Sequence, residues 1–293
     1  MPAPLPVARP VNAMSSETHT HVGTVALGAD RRMRPDPAAA TRIDGASGRL
    51  MVMECPFDSV TFDQAVDQVV TWCREATSAK TVMTMNAALL VAMRKDAALA
   101  AACRAGDLIV PDGVPVVWAS SLVRQPLKAR VAGCDLMQAL LERGARERLR
   151  VFFLGARENA VAELAARCAR DYPGLQVAGY RNGYFTEDDH PEIVAQIRRS
   201  GTDILFIGMP SPFKEVFAER HRDAFNVPVI MGVGGSFDVL AGFVKRAPAS
   251  WQKVGMEWSW RLLMEPRKLW RRYLVMNTLF LAHVARDTVK SRF

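Results

Sequence analysis

Between residues 50 and 240 the chain lays down short apolar runs that do not alternate, separated by stretches with helical periodicity, and this order of elements leaves few folds open. A run such as Ile204-Leu205-Phe206-Ile207 has no polar face, so a strand made from it must be covered on both sides. A parallel sheet supplies that cover, because each crossover lays a helix on one face or the other. Six candidate strands read out this way: 81–85, 107–111, 150–154, 175–180, 203–207 and 227–233. Helical patterns occupy 135–145, 159–170 and 191–199 between them. The first helix is the best marked, since Thr61 and Gln64 have capping-box spacing and Phe62, Ala65, Val66, Val69, Val70 and Cys73 recur on one face. The expected core is α/β, a mostly parallel sheet flanked by helices.

Charge divides the chain differently. From Lys245 onward eleven lysines and arginines stand against three acids, which equals the excess of +8 carried by the whole chain. The positive field therefore belongs to the C-terminal tail, where it attracts phosphate, anionic lipid or nucleic acid. Four of the six tryptophans sit there as well. Pro266 suits a first helical turn, and the helix it opens sets Leu269, Tyr273, Met276, Phe280 and Val284 on one side, with Arg267, Lys268, Arg271 and Arg272 in its first turns. Such a helix can lie in a headgroup layer or pack on the α/β core, and both readings stay open. The longest charge-free stretch of the tail, 273–285, is shorter than the roughly 20 residues of a membrane-crossing helix. The five cysteines lie far apart without a C-x-x-C pair, the pattern of free thiols in a reducing compartment. Residues 1–49, rich in Pro and Ala and lacking an apolar signal core, read as a disordered leader, 50–244 as the core, and 245–293 as a basic helical appendage.

Ligands of open α/β sheets bind beyond the carboxyl ends of the strands, so polar residues just after each strand are the first candidates. Here these are Thr84 and Asn86, Asp112 with Gly113, Gly155, Tyr184, and Gly234-Gly235-Ser236 followed by Asp238. Asp112 follows the apolar Leu108-Ile109-Val110-Pro111 and precedes a glycine, a setting that desolvates a carboxylate and raises it toward a useful base. Taken alone it reads first as a turn or helix cap. No G-x-G-x-x-G follows the first strand and no G-K-[ST] appears, so dinucleotide and P-loop readings are weak. Histidines and cysteines lack ligand spacing, and Glu187-Asp188-Asp189 marks a helix start, so neither a metal nor another cofactor is expected. A departing diphosphate must then be met by fixed cations, for which Arg261, Lys268 and Arg271 are well spaced.

These segments resemble the WecG/TagA/CpsF glycosyltransferases. The likeness runs in order from about 51 to 285 through Thr84-Met-Asn86, Pro111-Asp112-Gly113, Arg130 to Leu136, Phe153-Leu-Gly155, Gly183-Tyr184-Phe185, Gly232 to Asp238, Arg246-Ala247-Pro248, Glu257-Trp258, Arg261-Leu262, Glu265-Pro266-Arg267 and Arg272-Tyr273. The resemblance implies a Rossmann-like, inverting, metal-independent transferase, peripheral on the cytoplasmic face of the cell membrane. It implies a UDP-sugar donor carrying N-acetylmannosamine or a related hexose, and a polyprenyl-diphosphate-linked acceptor in cell-surface or exopolysaccharide synthesis. Carried onto matching positions, Asp112 is the base, with Thr84, Asn86 and Arg130 lining the sugar and acceptor pocket. Tyr184, Phe237 and Asp238 face the nucleoside near Gly234 and Gly235, and Arg261, Lys268 and Arg271 reach the diphosphate. Two positions depart from the pattern. Lys214 places a cation among the substrate-binding residues where a neutral amide is common, and Lys268 replaces an arginine, giving up a bidentate phosphate contact. The competing readings are another nucleotide-dependent α/β enzyme of oxidoreductase type, which the missing glycine fingerprint disfavours, and a basic-tailed membrane or nucleic-acid binding protein. Nucleic acid is not expected as a partner, and self-association is left open.

Overall fold

The computed structural model describes residues 48–122, 126–248, 251, 257–264 and 266–290, with side chains described for only part of the last two helices. The leader lies outside the described residues. The chain enters through an antiparallel hairpin, β1 (Leu50–Val52) and β2 (Cys55–Phe57), turning on Met53 and Glu54, both at positive φ as a two-residue hairpin turn requires. Six strands then form one sheet: β3 (Lys80–Met85), β4 (Leu108–Pro111), β5 (Arg150–Gly155), β6 (Gln176–Arg181), β7 (Ile204–Gly208) and β8 (Val229–Gly232). Every pairing is parallel, in the order β4-β3-β8-β7-β5-β6. All six predicted strands are present.

Helices cover both faces, as the unalternating runs demand. α1 (Phe62–Glu75), α5 (Gly133–Glu147), α6 (Glu158–Asp171) and α10 (Ser236–Leu240) share one core with Val110, Phe153 and Phe206. α7 (His190–Ser200), α8 (Phe213–Arg220) and α9 (Arg222–Phe225) share another with Phe152, Leu205 and Ile207, the alternate residues of the same strands. α2 (Ala87–Met93), α3 (Ala97–Arg104) and α4 (Val114–Leu122) join the hairpin around Met83, Met85 and Ile109. The capping box of α1 forms in both directions, with Gln64 N–H donating to Thr61 Oγ1 at 3.3 Å and Thr61 N–H to Gln64 Oε1 at 2.9 Å.

At the N-terminal edge of the sheet, acids in the loops beside the strand starts bind backbone. Asp107 accepts from Thr81 N–H at 2.9 Å and from Lys80 Nζ at 3.2 Å, and pairs with Arg222. Asp58 accepts from Ile109 N–H at 2.8 Å, and Asp203 from Arg150 N–H at 2.7 Å.

The described part of the tail includes the helices Glu257–Met264 and Pro266–Lys290, the second opening on the expected proline. Its later turns bury Phe280 and Val284 in the core that contains α2, and Arg94 at the end of α2 pairs with Asp287 at 2.8 Å. Core packing therefore holds for this end. No helix among the described residues is long and apolar enough to cross a membrane.

Candidate functional site

Because all six strands run the same way, their C-terminal ends share one edge and the loops leaving them converge there. Met85 and Pro111 are in register, and Asp112 N–H donates to Met85 C=O at 2.9 Å, so Asn86 and Asp112 are the first residues beyond two paired strand ends. The carboxylate of Asp112 turns to α5. Its Oδ1 accepts from Gly133 N–H at 2.7 Å, at the first turn of a helix whose own N-cap residue, Ala132, has no side chain to offer. A backbone donor at a helix N-terminus thus fixes the orientation of this carboxylate at the sheet edge.

Thr84 closes the cluster from β3. A Cβ at Gly133 would stand 2.9 Å from Thr84 Oγ1, so α5 can approach this strand only with glycine in its first turn. Val131 N–H donates to Pro111 C=O at 2.8 Å, which brings Arg130 to the same place, its Nε 3.5 Å from Asp112 C=O. Asn86 is exposed, and its Oδ1 caps α2 by accepting from Leu89 N–H at 3.0 Å. Thr84, Asn86, Asp112 and Arg130 are therefore one group.

Sequence reasoning did not single out a site role for Arg246. It pairs with Asp135 in the first turn of α5, two residues past Gly133, and so brings the chain leaving the core to the helix end that holds Asp112. The available signal was its place in the Arg246-Ala247-Pro248 segment.

Two strand positions from β4, the turn after β8 carries Gly234 at φ +54, and a Cβ at Gly235 would meet nothing within 4 Å. Backbone is open to approach there. Lys214 lies under this turn, with its stem 3.2 Å from a Cβ built on Gly232. Its Nζ donates to Ser211 Oγ at 2.8 Å and pairs with Glu215, both partners of the ion pair being buried. The extra cation read from sequence is thus present at the site but neutralised by its neighbour.

Between β5 and β7 the connections part, β5 leading out to β6 and β7 leading back to β8, which makes a crevice at the edge. Gly155 there has φ +135 and sits so close to Gly208 that a Cβ would fall 2.5 Å from its backbone. On one side of the crevice, Asp238 faces Arg157 at 3.6 Å, an ion pair too long for a hydrogen bond. On the other, Gly183 N–H donates to Ala156 C=O at 2.9 Å and Asn182 Oδ1 accepts from Tyr184 N–H at 2.9 Å, presenting Tyr184 with 76% of its surface exposed. Tyr184 and Asp112 are at opposite ends of the edge, and the structure does not bring them together.

Phe237 corrects the expectation from sequence. It is 0% exposed, packs edge-on to Phe153 at 5.6 Å, and fills the space over Gly208, so it supports the turn from below and offers a ligand no surface. The side chains of Arg261, Lys268 and Arg271 lie outside the described residues. No three His, Cys, Asp or Glu gather as metal ligands among the described residues.

A pinned carboxylate at one end of the carboxyl edge, an open glycine turn in the middle and a crevice at the switch point make this edge the candidate site of an α/β protein. The chain belongs to the glycosyl transferase WecG/TagA/CpsF family, whose profile matches residues 50–293. Among curated proteins it is 42% identical over 168 residues to an N-acetylglucosaminyldiphosphoundecaprenol N-acetyl-beta-D-mannosaminyltransferase of Bacillus spizizenii (strain W23), a match covering 57% of this chain and 64% of that protein. It is 32% identical over 212 residues to a protein of the same description from Bacillus subtilis (strain 168), covering 72% of this chain and 82% of that one. The match to the first of these spans just under two thirds of its length.

Proposed function

We propose that the chain transfers N-acetylmannosamine or a related hexose from its UDP-sugar to a saccharide carried on polyprenyl diphosphate, in one inverting, metal-independent displacement at the inner face of the cell membrane, for cell-surface or exopolysaccharide synthesis. The observation that carries this reading is the carboxylate of Asp112, fixed by Gly133 on the same sheet edge as the open turn at Gly234 and Gly235. Two strand spacings separate them, about 10 Å, the scale of a sugar and a diphosphate laid end to end.

In this mechanism the acceptor hydroxyl sits against Asp112. Its oxygen attacks the anomeric carbon from the face opposite UDP while Asp112 takes the proton, and the bond from that carbon to the diphosphate oxygen breaks with its electron pair leaving on UDP. Thr84, Asn86 and Arg130 position the reacting sugar and acceptor. The glycine turn lets backbone approach the diphosphate, whose growing charge is met by Arg261, Lys268 and Arg271 of the tail. Tyr184 and Asp238 face the nucleoside. Exposed Trp270, Val275 and Leu281 on the last helix, in a tail rich in basic residues, suit an anionic membrane surface. The names of the two relatives support the acceptor class and the hexosamine donor.

The test is a donor screen with the full chain and a synthetic lipid diphosphate saccharide, with and without EDTA, followed by linkage analysis. Transfer from a UDP-hexosamine with inverted anomeric configuration, insensitive to EDTA, is the expected result. Retention of configuration, loss of activity in EDTA, or no transfer from any UDP-sugar overturns it.

A further inference from the structure

Surface helices normally show charge to water, and α4 does not. Val114–Leu122 contains no charged side chain. One flank, Val116, Ala119 and Ser120, is buried, while Val114, Trp118 and Leu122 are 36%, 51% and 39% exposed. Spaced four residues apart, these three form a single stripe about 12 Å long. The stripe begins two residues after Asp112. The last helix packs beside α4 and itself exposes Val275 and Leu281. At the head of the stripe the chemistry changes, because Arg130 lies against the backbone of Asp112. α4 itself carries no charge and Arg130 stands where it begins, which suits a ligand with an anionic head and a hydrocarbon tail.

We infer that Val114, Trp118 and Leu122 seat the first isoprene units of the acceptor's polyprenyl chain, leading the lipid away while its sugar diphosphate stays at Asp112. This rests on the acceptor class proposed above. Bulk bilayer or a second copy of the chain could also cover an apolar face. The position of the stripe favours the ligand whose own hydroxyl must reach the base, since the lipid is covalently tied to that hydroxyl and has to leave the site along some path. A helix starting two residues from the base offers an apolar one.

The experiment uses the full chain and two synthetic acceptors that differ only in the group on the diphosphate, a polyprenyl chain of several isoprene units or a butyl group. The double variant Trp118→Gln/Leu122→Gln lowers the ratio of kcat/KM for polyprenyl over butyl acceptor by about tenfold, the worth of one buried apolar side chain. Trp118→Phe keeps the ratio within about twofold, since an aromatic ring still fills the position. Should the double variant not fold, Leu122→Gln alone, at the far end of the stripe, reads the same ratio. A ratio that does not move overturns the inference while leaving the transferase reading intact. A fall matched by equal loss of pelleting with acceptor-free anionic vesicles assigns the stripe to bulk bilayer and overturns it. Conversion of a wild-type dimer to monomer in sedimentation assigns it to a second copy and overturns it too. Wild-type chain that uses neither acceptor with any UDP-sugar overturns both readings.

Discussion

The two edges of the central sheet use the same residue type for opposite ends. At the N-terminal edge, Asp107 is surrounded by donors from Lys80, Thr81 and Arg222, so its charge is spent on holding strands and helix together. At the C-terminal edge, Asp112 leans on the first turn of α5 beside a threonine, in a gathering of polar loops open to a ligand. On the proposed function, an aspartate next to a strand is structural or chemical according to which end of the strand it flanks. In a parallel sheet that end is the same for every strand.

The same substitution at both edges is the sharpest way to break this contrast. Asp112→Asn keeps the oxygen that accepts from Gly133, so the fold survives, and removes the proposed base; transfer is expected to fall about a thousandfold with UDP affinity nearly unchanged, read by product formation and calorimetry. Substantial retained turnover removes Asp112 from its role. Within the chemical edge, Gly155→Ala drives a Cβ into the backbone of Gly208 at a φ that alanine resists, and costs roughly 3 kcal/mol, seen as a lower midpoint in urea unfolding. Asp107→Asn leaves two cations without their anion and costs about 2 kcal/mol, with kcat per folded molecule unchanged. An activity loss there larger than at Asp112 inverts the assignment of the edges. Gly235→Ala adds a methyl group in open space, so stability stays within about 0.5 kcal/mol while UDP-sugar affinity drops, because backbone approach is blocked. The smallest effect is chemical. Burial pushes the thiols of Cys55, Cys73 and Cys168 up to about 12, and raises that of Cys103 as well. Cys134, in the first turn of α5, is partly exposed. At pH 8 only about one in ten thousand molecules of a thiol at 12 is ionised, so iodoacetamide labels the native chain at Cys134 alone, as peptide mapping will report. The buried thiols react only when pH approaches their raised values or the chain unfolds.

Much of this was legible in the sequence because it is local. Uninterrupted apolar runs announced strands buried on both faces, and Thr61 with Gln64 announced the start of α1. α2, α3 and α4 are poor in charge, so they give periodicity no contrast to read. In the site, Asp112, Thr84 and Asn86 follow from strand ends alone. Phe237 could not be placed, since the space it fills exists only because Gly208, far away in sequence, has no side chain. The pairing of Arg246 with Asp135 crosses 111 positions and depends on where α5 begins. Lys214 stood out as a lone cation, yet the carboxylate that neutralises it is the next residue, and only the conformation of α8 shows that the two point at each other.

Asp112 hangs from Met85 by its amide and from Gly133 by its side chain, two bonds to separate elements of one core. Moving it means sliding β4 along β3 or lifting α5 from the sheet, and neither happens while the body of the protein is intact. On warming, turnover should hold until the whole unit melts and then vanish in the same transition, with no gradual fading beforehand.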